Sequence, residues 1–126
     1  MLKKALILTT SFISLASPAY GEAVMSCYVA GDDTYIPVEQ NYPLDDPEPA
    51  HIDGETPGSE VNVRSGPGID YEVTAYGLVG DAVQVIGQAF STDCETWIQV
   101  RFPVSEHIGW IHANYIQLHY GRGWWD

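Results

Sequence analysis

Val61-Asn62-Val63-Arg64 alternates apolar and polar side chains and is cut off at once by Ser65-Gly66-Pro67-Gly68. Alternation at period two places Val61 and Val63 on one face of a strand, and Pro67 between two glycines forces the chain to leave that strand sharply. The pattern recurs. Asp81-Ala82-Val83-Gln84-Val85-Ile86-Gly87 alternates after a Gly80-Asp81 bend, Trp97-Ile98-Gln99-Val100-Arg101-Phe102 reads as a further strand, and Gly109-Trp110-Ile111-His112 and Tyr115-Ile116-Gln117-Leu118 complete the set. No helical stripe is present outside the N-terminal apolar run. Five or six short strands in about 70 residues predict an all-β fold, a small barrel or sandwich whose closure removes exposed edges. Alternation within each strand selects Val61, Val63, Val83, Val85, Ile98, Val100, Trp110 and Ile116 as the core.

The start of the chain has a different character. Lys3 and Lys4 precede an apolar run from Ala5 to Ala16, and Ala19-Tyr20-Gly21 offers small residues suited to cleavage. Residues 1–21 therefore read as a signal peptide cut after Gly21. The run stops at Ser17-Pro18, short of the roughly 20 residues that cross a bilayer, which argues against a membrane anchor. The expected location is the periplasm or the cell exterior. The 126-residue chain carries a formal charge of −12, and without residues 1–21 three arginines face 17 carboxylates, a net of −14. Three scattered arginines make no basic patch, so nucleic acid and anionic lipid surfaces are poor partners and no nucleic acid is expected, while cationic or neutral ligands meet less repulsion.

Two cysteines in an exported chain suggest a disulfide between Cys27 and Cys94. The rival for Cys27 is lipidation, because Val24-Met25-Ser26-Cys27 loosely matches a lipobox. Pro18, Gly21 and Glu22 separate it from the apolar run, however, and Cys94 would be left unpaired. Residues 22–49 are expected to form a short N-terminal strand and then an acidic, proline-rich arm. Nine of the 17 acids lie between Gly31 and Glu60, with Pro37, Pro43, Pro47, Pro49 and Pro57, a composition that favours extended, solvated chain. Residues 50–118 would be the barrel, with Ala50-His51-Ile52-Asp53 as its first strand, and residues 119–126 an aromatic tail.

The succession Val61-Asn62-Val63-Arg64-Ser65-Gly66-Pro67-Gly68, then Tyr76-Gly77-Leu78-Val79-Gly80-Asp81, then Trp97-Ile98-Gln99-Val100, then Gly109-Trp110-Ile111 and Tyr115-Ile116 resembles the bacterial SH3 domain family in order and spacing. The resemblance covers about residues 50–118. It implies a partly open, SH3-like β-barrel of five to seven strands with a long loop after the NVRSGPG strand. It further implies a non-catalytic module of the kind that accompanies cell-wall hydrolases and often binds peptidoglycan peptides.

The residues offer little for chemistry. A Cys94 nucleophile paired with His107 or His112 has no surrounding motif, and His51, His107, His112 and His119 lack the tight spacing of a zinc site. The pairs Asp32-Asp33 and Asp45-Asp46 with Glu48 lack an EF-hand's spacing and central glycine. No metal or cofactor is expected. The aromatics are more informative: Tyr and Trp give a large apolar face with one polar tip, and Tyr71, Tyr76, Trp97, Trp110 and Tyr115 are the groove candidates. Tyr120, Trp124 and Trp125 complete the aromatic set. The expected function is an exported binding module for peptidoglycan peptides; the alternative is a module that docks on another exported protein.

Overall fold

The computed structural model describes residues 25–119. The signal peptide, its cleavage point, and the tail with Tyr120, Trp124 and Trp125 lie outside the described residues. A two-stranded hairpin comes first, β1 (Ser26–Val29) and β2 (Thr34–Pro37). Then follow β3 (Tyr42–Ile52), β4 (Glu60–Arg64), β5 (Val73–Leu78), β6 (Ala82–Phe90), β7 (Thr96–Arg101) and β8 (Ile108–His112), a 3-10 turn over Ala113–Tyr115, and β9 (Ile116–Leu118). The last seven strands form one antiparallel sheet in the order β9-β3-β6-β7-β8-β4-β5. The β5–β6 turn bonds back to β3: Gly80 N–H donates to the Ile52 carbonyl at 2.8 Å, and Ile52 N–H to that of Asp81 at 2.9 Å. These bonds continue the β3–β6 ladder one step past the His51–Ala82 pair and fix the turn that carries β5 into β6, within the small SH3-like all-β fold. Gly80 holds φ at +105°, which a side chain would resist, and the Asp81 carboxylate accepts the Leu78 N–H across the same bend at 2.9 Å.

The barrel interior is filled by Ala50, Ile52, Val61, Val63, Val83, Val85, Ile98, Val100, Ile111 and Ile116. All eight residues that alternation selected are buried, although Trp110 belongs to a separate cluster with Ala89 and Trp97. Trp97 and Ile98 are consecutive and both buried, so β7 is covered on both faces. Each interior side chain of this size contributes about 1.5–3 kcal/mol by leaving water, set against the entropy of ordering the chain.

The first barrel strand begins at Tyr42 rather than Ala50, so the segment expected to be a solvated arm is in strand from there on. Its prolines are tolerated for a physical reason. β9 pairs with β3 over Ala50–Ile52 and His119 N–H donates to the Pro49 carbonyl at 3.3 Å, so among the described residues the stretch from Tyr42 to Glu48 is paired on its β6 side alone. Pro43 stands opposite Gly87 and Pro49 opposite Gln84. An edge is where a strand can accommodate a residue with no N–H to donate. The register breaks between Pro43 and Glu48. Within that break Leu44 turns in to pack on the core while Asp45 and Asp46 stay exposed, and charge along an edge discourages further strand pairing.

Cys27 and Cys94 are joined, with their Cα atoms 5.6 Å apart. The bond fixes β1 to the turn before β7, where Cys94 has a φ of +63°. Two further bonds tie the hairpin's end to the barrel: Glu39 N–H donates to the Phe90 carbonyl at 2.7 Å, and the Tyr71 hydroxyl to the Glu39 carboxylate at 2.6 Å.

Candidate functional site

The strand Glu60–Arg64 sends Val61 and Val63 inward and leaves Glu60, Asn62 and Arg64 on the outside. Those three form one wall of a cleft of about 580 Å³. The turn from Gly54 to Ser59 borders it on one side, Ile69 stands on another, and Trp97, His112, Asn114 and Tyr115 lie across from β4. Ile69 is 71% exposed and Tyr115 45%, whereas Trp97, at 4%, is fixed in the structure and contributes only a rim of its ring.

Arg64 organises one edge of this cleft. Its Nη1 donates to the carbonyls of Ile69 at 3.2 Å and Tyr71 at 2.9 Å, so the guanidinium pins the loop after β4. Gly66 lies under the Tyr71 ring, and any Cβ there would strike it. Close approach of ring to backbone is thus a second reason that the Ser65–Gly68 turn carries glycine.

His112 organises the opposite edge. Its Nδ1 accepts the Asn114 N–H at 3.0 Å, capping the 3-10 turn, which assigns the proton to Nε2; that nitrogen donates to Glu95 Oε1 at 2.7 Å. The ring meets Trp97 edge-on at 5.3 Å between centroids and Tyr115 at 6.4 Å. With both nitrogens engaged, His112 presents no free base to the cleft. Cys94 is half of the disulfide and carries no thiolate, so the Cys–His catalytic pairing considered from the sequence does not exist. Among the described residues, no group of three His, Cys, Asp or Glu converges as a metal site would require.

Of the five aromatic groove candidates, the cleft brings together Trp97 and Tyr115. Trp110 is buried beside Trp97 and Ala89. Tyr76 is exposed on β5, at the end of the sheet, and is not part of the cleft wall. Tyr71 lines a separate recess of about 240 Å³ with Glu39, Ser91 and Asp93. Its phenol is held above its ordinary pKa, chiefly by the hydrogen bond to Glu39, then by burial and by the charges of Glu39 and Asp70. The wall residues Glu60, Asn62 and Arg64 were available from the alternation of β4. Asn114 and His112 reach the site through the 3-10 turn, which has no periodic signal.

Residues 59–117 match the bacterial SH3 domain family, and this part of the chain is a bacterial SH3 domain. Such domains are generally non-catalytic modules that bind protein or peptide ligands. A 65-residue stretch is 33% identical to part of serine/threonine-protein kinase D of Synechocystis sp., covering 52% of this chain and 13% of that protein. The likeness is confined to the SH3 part and so extends to the module alone. No solved structure matches the chain.

Proposed function

We propose that the protein is an exported, non-catalytic binding module that holds peptidoglycan stem peptides in the cleft between β4 and the 3-10 turn. The observation that carries this reading is the cleft itself. It is concave, roomy enough at about 580 Å³ for a short peptide, and edged by an exposed tyrosine, a tryptophan rim and polar side chains. The Cys27–Cys94 bond supports residence in an oxidising compartment, in keeping with the N-terminal signal read from the sequence. The test is co-sedimentation of the protein with purified sacculi across a salt series. Saturable binding that Tyr115→Ala weakens is the expected result; absence of binding at every salt concentration overturns the proposal.

A second reading, docking onto another exported protein, draws on β5. Among the described residues this strand pairs only with β4; it carries no charged residue and exposes Tyr76 and Leu78. Unprotected edges of this kind accept an added strand. Loss of protein–protein contact in Tyr76→Lys, with sacculus binding intact, would favour it.

A further inference from the structure

The cleft is lined by two carboxylates and one guanidinium, so negative charge prevails in it. Glu55 and Glu60 line it and are exposed. Neither is in an ion pair among the described residues. The described residues contain no lysine and two arginines. Arg101 donates to the Gln84 side-chain carbonyl through Nε at 3.0 Å and Nη2 at 2.7 Å. Arg64, the cation in the cleft wall, has its Nη1 turned to the Ile69 and Tyr71 carbonyls. The two carboxylates outnumber the one guanidinium of the cleft lining, whose charge the carbonyl contacts leave intact, in a protein whose overall charge is strongly negative. In the same cleft Tyr115 exposes 45% of its surface. An aromatic face with carboxylates nearby favours a cation, through attraction to the ring's negative π-face and through simple Coulomb attraction.

We infer that the cleft selects ligands that carry a free ammonium group. This rests on the reading of the cleft as a peptide groove and narrows it: of the wall peptides, those with an unsubstituted side-chain amine are the ones that bind. Acylation of that amine removes its charge and enlarges it, so an acylated peptide loses both attractions.

The test is NMR titration of the full chain with two pairs of probes. The first pair is n-butylammonium and its neutral analogue n-butanol; the second is a stem tetrapeptide with a free side-chain amine and its N-acetyl form. The expected result is that each amine perturbs the amides of Ile69, Asn114 and Tyr115, and binds roughly 3- to 30-fold more tightly than its neutral partner, the range for one cation–π contact with carboxylate support. The Glu55→Gln/Glu60→Gln variant, altered at exposed positions, should reduce that preference, leaving the share due to the Tyr115 ring. Equal binding of charged and neutral partners at the cleft overturns the ammonium inference and leaves the peptide groove standing. Perturbation by n-butylammonium with no response to either tetrapeptide keeps the ammonium site and overturns the wall-peptide reading. Perturbation elsewhere, or none, overturns both.

Discussion

Removing the Cys27–Cys94 bond should cost the protein less than its loop length suggests, and the shortfall can be worked from the structure. The cysteines are 67 residues apart, and cross-linking an unfolded chain over that distance stabilises the native state by about 4 kcal/mol on the chain-entropy relation. The native state also changes when the bond is cut. The hairpin β1–β2 is too small to hold its own shape in water, and beyond the disulfide it is fastened at Glu39, through Phe90 and Tyr71. The segment of about a dozen residues from Cys27 to Glu39 then regains freedom worth about 3 kcal/mol by the same relation. The Cys27→Ala/Cys94→Ala variant should accordingly lose only about 1–2 kcal/mol in urea unfolding. Hydrogen exchange should show residues 26–37 unprotected while β6, β7 and β8 remain slow. A loss near 4 kcal/mol with the hairpin amides still protected would refute the reasoning, because it would mean the hairpin docks without its tether. Failure of the variant to fold would refute it more severely.

Ile98 is fully buried at the centre of the barrel, so Ile98→Ala should destabilise by about 2–5 kcal/mol in the same assay; a loss under 1 kcal/mol would mean the core is not where the packing places it. Tyr71 should titrate above 10.0, the ordinary value for tyrosine, in an ultraviolet pH series, and Glu39→Gln should bring it down. Because the folded-state pKa is raised, the Tyr71–Glu39 contact stabilises fully below the unfolded phenol's pKa, and its contribution disappears as pH rises through the folded value. Asp93 accepts a hydrogen bond from the Ser91 hydroxyl, which holds its carboxyl below the usual range. Ser91→Ala should raise it in carboxyl-carbon NMR. Its depressed folded pKa means that this contribution is present above the unfolded carboxyl's pKa and is lost as pH falls through the folded value.

Alternation in β4, β6 and β7 was enough to place Val61, Val63, Val83, Val85, Ile98 and Val100 inside, because a period of two leaves no other face for them. The Cys27–Cys94 pairing was legible because the chain has two cysteines. β3 was harder to read. Pro43, Pro47, Pro49 and the surrounding acids have the composition of a linker, and their place in a strand depends on pairing with β6, a tertiary circumstance that local composition does not encode. The cleft was legible in part. Tyr115 and Trp97 were recognisable as large aromatics, but whether Tyr71, Tyr76 and Trp110 joined them depended on the closure of the sheet and the path of the Ser65–Glu72 loop. That closure puts Trp110 in a buried cluster, Tyr71 against Glu39 and Tyr76 on the free strand.

The most direct test of the central claim, that the cleft between β4 and the 3-10 turn is the binding surface, is residue-resolved shift mapping with a soluble stem tetrapeptide. The account predicts saturable shifts concentrated at Asn62, Ile69, Asn114 and Tyr115 and their loss in Tyr115→Ala; shifts centred on Tyr76 and Leu78 of β5, or on no contiguous surface, would contradict it.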